Sequence, residues 1–224
     1  MSGTTIITRS QSAIGHRRAP SEGLDRAMTN VIPPPTAASP WDATNHIDIQ
    51  IHPGNKDIAA QQHRDKHFFT HANASHVCFY TDGTLLEGKA GAGIHTSVAG
   101  NTIHESSYYL ETEAEVLDAE LYGIMKATEL ATKISLDENL TDIWIFCDNQ
   151  TAVRRMNDKR PLPGQDYSLK VHRNSEILSF RGIKTHIHWV PGQVNVKGNE
   201  RADTLAKEGT KGKRLPRDAT TSIT

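Results

Sequence analysis

Three strand-length runs follow one another within residues 76–110, and the links between them are short. Residues 76–82 (HVCFYTD), 90–98 and 102–110 carry the β-branched, aromatic and alternating character of strands. Parallel neighbours need a crossover of a dozen or more residues, and the chain has no room for one here. An antiparallel meander is therefore expected. Asp82-Gly83 reads as a turn signal ending the first strand, and Ala99-Gly100-Asn101 joins the second to the third.

Beyond residue 110 the period changes. Residues 112–134 place Leu117, Leu121, Ile124 and Thr128 on one helical face, extended by Ala114 and Ala131, and Thr112 with Glu115 has the form of a capping box. Residues 142–148 (DIWIFCD) read as a compact buried strand, and 149–156 as a short helix. Pro161-Leu162-Pro163-Gly164 breaks the chain before a helix over 165–180, which Arg181-Gly182 stops. Residues 184–190 (KTHIHWV) form a strand with His186 and His188 on one face, Pro191-Gly192 opens a loop, and 199–208 is a final helix. The order β-β-β-α-β-α-α-β-α predicts an α/β domain with a mixed sheet and flanking helices.

Ahead of this domain the chain is less regular. Its first 40 residues are rich in Ser, Thr, Pro, Ala and Gly and include Pro33-Pro34-Pro35. Residues 45–51 alternate polar and apolar, as in a short extended segment, and a polar helix is expected over 56–71. The expected division is a disordered or weakly structured extension over 1–74, a folded domain over 75–209 and a basic flexible tail over 210–224. His63, His67 and His71 share an i,i+4 spacing that zinc fits, but no Cys or acidic cluster closes the set, so surface histidines are the expected reading.

Charge and cysteine content exclude several classes. Cys78 and Cys147 are the only cysteines, too few for a disulfide scaffold or a cysteine-rich zinc module, and no stretch approaches the ~18 apolar residues of a spanning helix. The net charge is −1, but the balance is −5 over residues 75–209 and +3 over 210–224. An acidic domain that handles a polyanion needs local neutralisation, and divalent cations supply it.

Four acids carry the interest. Asp82 and Asp148 end strands, and if those strands are parallel neighbours both carboxylates emerge at one edge of the sheet, where α/β ligand sites lie. Glu120 falls between Leu117, Leu121 and Ile124, at the margin of a core-facing stripe, where a carboxylate must be paired, protonated or metal-bound. Asp203 lies in the last helix beside Asn199 and Glu200. The plainer alternatives are a turn former, a helix cap, a rim glutamate reaching solvent, and an i,i+4 pair of Asp203 with Lys207. Gathered together, unpartnered carboxylates repel, and all-oxygen ligands select Mg²⁺ first and Mn²⁺ second.

In order, the chain carries Tyr80-Thr81-Asp82-Gly83-Thr84, Asp118-Ala119-Glu120-Leu121-Tyr122-Gly123-Ile124, Phe146-Cys147-Asp148-Asn149-Gln150, Trp189-Val190-Pro191-Gly192 and Gly198-Asn199-Glu200-Arg201-Ala202-Asp203. On these pieces residues 77–209 resemble a type 1 ribonuclease H domain, most of all those of non-LTR retrotransposon reverse transcriptases. Leu162-Pro163-Gly164-Gln165-Asp166 matches a Pro-Gly-Gln segment such domains carry. The resemblance implies a five-stranded mixed sheet and cleavage of the RNA strand of RNA–DNA hybrids, leaving 5′-phosphate and 3′-hydroxyl ends. It implies that Asp82, Glu120, Asp148 and Asp203 are catalytic and hold two Mg²⁺ about 4 Å apart, with Mn²⁺ a substitute. Asp82 would bridge the ions, Asp148 would serve the nucleophile side, and Glu120 and Asp203 the leaving-group side. Glu120 would also sense the RNA 2′-hydroxyl.

Gly83, Thr84, Asn149, Arg154 and Arg155 are candidate substrate contacts, the arginines belonging to a modest basic run with Lys159 and Arg160. The sequence departs from the family where a loop histidine is usual, for that position is Gln193. Glutamine cannot change charge near neutral pH, so reduced turnover is expected, and a weakened hybrid-binding module is the alternative. His186 and His188 are expected to be structural. The expected partner is the hybrid, with no membrane; the expected state is a monomer inside the cell, in nucleus or cytoplasm.

Overall fold

The computed structural model describes residues 46–51, 54–110, 113–135, 139–158 and 162–212. Within these, strands β2 (His76–Leu86), β3 (Lys89–Val98) and β4 (Asn101–Tyr109) form the expected meander, with adjacent strands antiparallel. Helix α2 (Val116–Ile134) leads to β5 (Asp142–Cys147), which pairs parallel with β2. Two helices, α3 (Gln150–Arg155) and α4 (Gln165–Phe180), precede β6 (Lys184–Trp189), parallel to β5, and α5 (Lys197–Gly209) closes the domain.

Five strands were expected and the sheet has six. Residues Ile47–Gln50 form β1, which pairs parallel with β6 at the sheet edge and gives the order β1-β6-β5-β2-β3-β4. Helix α1 (Lys56–Ala72) follows, capped by Asn55, whose Oδ1 accepts from the Asp57 amide at 2.8 Å. Strand and helix both lie in the segment expected to be disordered or weakly structured. The alternation of residues 47–51 is a usable strand because β6 offers it an open edge. Residues 1–45 and the tail from 213 lie outside the described residues.

Two local expectations are corrected. Asp82-Gly83 is not a turn: β2 runs on to Leu86, with Asp82 opposite Gly93 and Gly83 opposite Ala92. The reversal falls at Glu87-Gly88, where φ is 51° and 72°, the two positive values a tight hairpin needs. Thr112 lies outside the described residues, and α2 is capped by Glu115, whose amide donates to Asp118 Oδ2 at 3.0 Å.

Alternation along the strands builds two layers. Val77, Phe79, Ile143, Ile145 and Ile187 join Leu121, Ile124 and Met125 of α2 and Val171 and Leu178 of α4 in the main core. On the other face Cys78, Tyr80 and Phe146 meet Ala60 of α1 and Ala202 of α5. Helix α5 comes close to the sheet because β3 offers Gly93 beneath it; a Cβ there would overlap the Ala202 carbonyl. Arg201 ties α5 to β4 through a two-pronged pair with Glu105, at 2.8 and 2.7 Å.

Candidate active site

Asp82 and Asp148 come together through strand register. Thr81 pairs with Cys147 across the parallel β2–β5 ladder, so the next residue of each strand, Asp82 and Asp148, stands side by side with the other. Glu120 arrives from α2. It reaches the pair because Gly83 has no side chain; a Cβ there would overlap the Glu120 amide nitrogen. Carboxylate oxygens of Asp82, Glu120 and Asp148 all lie within 4.8 Å of one another. Asp82 is 7 % exposed and Glu120 3 %, so neither is a rim residue or a solvated turn.

Burial and crowding act on all three. Burial, then the charges of Asp148 and Asp203, push Asp82 up to about 8, with Lys207 opposing. Burial also lifts Glu120 well above its ordinary value, reinforced by Asp82 and Asp148 and offset in part by hydrogen bonds from Cys147 and Asn149. Asp148 is raised by burial and by Asp203, against a hydrogen bond from Asn199 and the charge of Lys56. Like charges packed in a low-dielectric site either keep protons or take up cations.

The supports are specific. Asn199 Nδ2 donates to Asp148 Oδ2 at 3.1 Å, and Trp189 Nε1 donates to the Asp148 carbonyl at 2.8 Å. Asn149 Oδ1 accepts from the Thr151 and Ala152 amides and so caps α3, leaving Asp148 free of that task. Gly192 lies against Asp148, where a Cβ would collide with Oδ2. An open groove of about 340 Å³ adjoins the acids, lined by Lys56, Asn149, Gln150, Gly192 and Gln193 as well as Glu120 and Asp148.

Asp203 stands apart from the trio. Its carboxylate is 2.6 Å from Lys207 Nζ, the i,i+4 pair its helix allows, and lies outside the group of three. Its charge nevertheless reaches Asp82 and Asp148. Of the other candidates, Gln193 lines the groove with φ at 61°, and Thr84 lies two residues beyond Asp82 on β2, opposite Gly91. Arg154 is exposed on α3 and donates to Gln150 at 3.0 Å, Arg155 follows it, and Lys159 and Arg160 lie outside the described residues.

The histidine row was misjudged. His63 and His67 are buried on the sheet-facing side of α1, not on the surface. They pack edge-on against Phe146 with ring centroids 4.7 and 4.9 Å away, and His63 Nε2 is 3.0 Å from the Tyr80 hydroxyl. The side chain of His71 lies outside the described residues.

Sequence reading also missed two supporting residues. Asn199 was noted only as a neighbour of Asp203, although its place in the Gly198–Asp203 piece was a usable signal. Lys56 gave none, since it opens a helix in a segment that was not expected to reach the site.

The donor set fits hard divalent ions: three convergent carboxylates, all oxygen, and a neighbouring glycine where any side chain would strike Asp148. Residues 74–211 match the family model described as RNase H. Among solved structures the chain is similar to RNase H1 from the halophilic archaeon Halobacterium salinarum NRC-1, with 25 % identity over 61 % of this chain and 98 % of that one, at a TM-score of 0.46. It is also similar to LC11-RNase H1, a protein isolated from compost by a metagenomic approach and solved with an RNA/DNA hybrid, at 26 % identity, 60 % and 96 % coverage and a TM-score of 0.49. A third is the foamy viral protease-reverse transcriptase in complex with an RNA/DNA hybrid, at 20 % identity, 63 % and 20 % coverage and a TM-score of 0.47. Comparison with curated proteins gave no match.

Proposed function

The chain belongs to the RNase H family, and from that premise we propose that it is an endonuclease that hydrolyses the RNA strand of RNA–DNA hybrids with two divalent metal ions, leaving 5′-phosphate and 3′-hydroxyl ends. The observation that carries the proposal is the meeting of Asp82, Glu120 and Asp148, buried and with raised pKa values, beside an open groove. When bound, the ions supply an activated water and stabilise the leaving 3′-oxygen. Asp82, Glu120 and Asp148, the last steadied by Asn199, would hold them. Asp203 is the fourth carboxylate of the family pattern; its charge acts on Asp82 and Asp148, and parting from Lys207 would let it join them. Glu120 faces the groove, where it would read the RNA 2′-hydroxyl. Mg²⁺ is the proposed ion, with Mn²⁺ a substitute.

Gln193 lines the groove where the family usually has histidine, and it supplies no proton near neutral pH. That supports slow turnover, and it is also the one observation favouring a hybrid-binding module that does not cut. The Trp189-Val190-Pro191-Gly192 and Gly198–Asp203 pieces support a retroelement origin, and a substrate of RNA paired with DNA goes with an intracellular site of action. The test is an end-labelled hybrid incubated with Mg²⁺ beside RNA and DNA duplexes. Internal cuts in the RNA of the hybrid alone, with 5′-phosphate ends, support the enzyme. Tight hybrid binding without cuts supports the module, and the absence of both cuts and tight binding refutes both readings.

A further inference from the structure

A second group of ligating side chains lies on the sheet away from the carboxylate site. Strands β1 and β6 are parallel neighbours, with Asp48 opposite His186 and Gln50 opposite His188. The two-residue period of β6 puts both imidazoles on one face, and Asp48, opposite His186 in the register, reaches both. His186 Nδ1 is 3.1 Å and His188 Nε2 2.9 Å from Asp48 Oδ2, and one ligand atom from each residue falls within 4.8 Å of the others.

The surroundings resemble the back of a metal site more than a casual cluster. His186 turns its other nitrogen, Nε2, to Asp142 Oδ1 at 2.9 Å. A carboxylate behind a ligating histidine fixes its ring and tautomer, the usual outer partner of a metal-bound imidazole. Trp144 stacks on the same ring, 3.8 Å between centroids and 6° from parallel, which locks its orientation. Asp48 is 43 % exposed at the sheet edge and gives an ion a path from solvent.

Both nitrogens of His186 face carboxylate oxygens. With an ion at the Asp48 side, Nδ1 would be a ligand and Nε2–H would donate to Asp142, the usual arrangement of a metal-bound imidazole.

We propose that Asp48, His186 and His188 form a binding site for one Zn²⁺ ion, which ties β1 to β6. Two nitrogens and one oxygen suit a borderline ion better than Mg²⁺, and three protein ligands leave a fourth position for water. The proposal is independent of the nuclease reading, because its readout is zinc uptake.

The test uses the full chain, stripped of metal and titrated with Zn²⁺ in excess Mg²⁺, with Co²⁺ as a spectroscopic substitute. One zinc per chain with a micromolar Kd is expected, with the strong visible absorption of four-coordinate Co²⁺. Asp48→Asn and His186→Gln weaken uptake most, Asp142→Asn weakens it by about tenfold, and Asp82→Asn leaves it unchanged. Circular dichroism confirms that each variant folds. Absence of zinc uptake overturns the proposal, as does uptake that ignores Asp48 and His186 or depends on Asp82.

Discussion

Asp82 and Asp48 are strand-borne carboxylates on one sheet, and their neighbours drive them in opposite directions. Asp82 is buried among acids and rises to about 8. Burial also works to raise Asp48, but hydrogen bonds from His186, His188 and Gln50 outweigh it and hold Asp48 at about 2. The first cluster is at odds with itself until protons or cations arrive. The second holds together through its own hydrogen bonds and gains an ion without needing one. The same element of structure thus sets a carboxylate among like charges or among imidazoles according to what the adjacent strand and helix present.

The largest effect that sharpens this contrast is catalytic. Asp148→Asn keeps the hydrogen-bonding shape but removes one charge from the cluster, and cleavage of a hybrid with Mg²⁺ should fall on the order of 10³-fold. Single-turnover rates with excess enzyme check it. A loss under tenfold would place Asp148 outside the chemistry.

The next effect is on stability, and its sign differs between the clusters. Asp82 keeps its proton in the folded state up to about 8, whereas its ordinary value is 3.8. Its contribution is therefore fully present below about pH 4 and is lost as pH rises through 8. Metal-free Asp82→Asn should be more stable than the parent at pH 8, by on the order of a few kcal/mol, and the gain should shrink toward pH 5. Added Mg²⁺ or Mn²⁺ should raise the parent's Tm more at pH 8 than at pH 5. Thermal melts at the two pH values decide, and an equal gain at both contradicts the raised pKa.

Gln193→His should raise turnover by about tenfold near neutral pH, with a pH dependence around the titration of an imidazole. No gain in a pH–rate profile would mean that the groove does not use a proton at this position. The smallest effect belongs to Asp48→Asn. Asp48's stabilisation is present above its ordinary value of 3.8 and lost as pH falls through about 2. Its side chain is substantially exposed, so the cost at pH 7 without zinc should stay below about 1 kcal/mol. Denaturant melts at pH 7 and pH 2.5 should show that difference narrowing in acid.

Much of this arrangement was legible because strands alternate and helices repeat. The rows Val77–Phe79 and Ile143–Ile145 marked one face, and Leu117, Leu121 and Ile124 marked the helix that covers it. Glu120 stood out because a charge interrupts that stripe. What failed depended on partners remote in the chain. Asp82-Gly83 has turn chemistry, but pairing with Ala92 and Gly93 keeps it extended, and its glycine serves the approach of α2. Residues 47–50 alternate visibly, yet their place in the sheet is decided by β6, and only that register brings Asp48 to His186. The i,i+4 spacing of His63 and His67 was seen, but spacing does not tell a surface row from one buried against Phe146.

The most direct measurement of the central claim is cleavage of a labelled RNA–DNA hybrid by the parent and by Asp82→Asn, each with saturating Mg²⁺ and after chelation. Metal-dependent cutting by the parent, abolished in the folded variant and in chelator, is the expected result. Cutting that persists in Asp82→Asn or in chelator would contradict a nuclease built on these carboxylates.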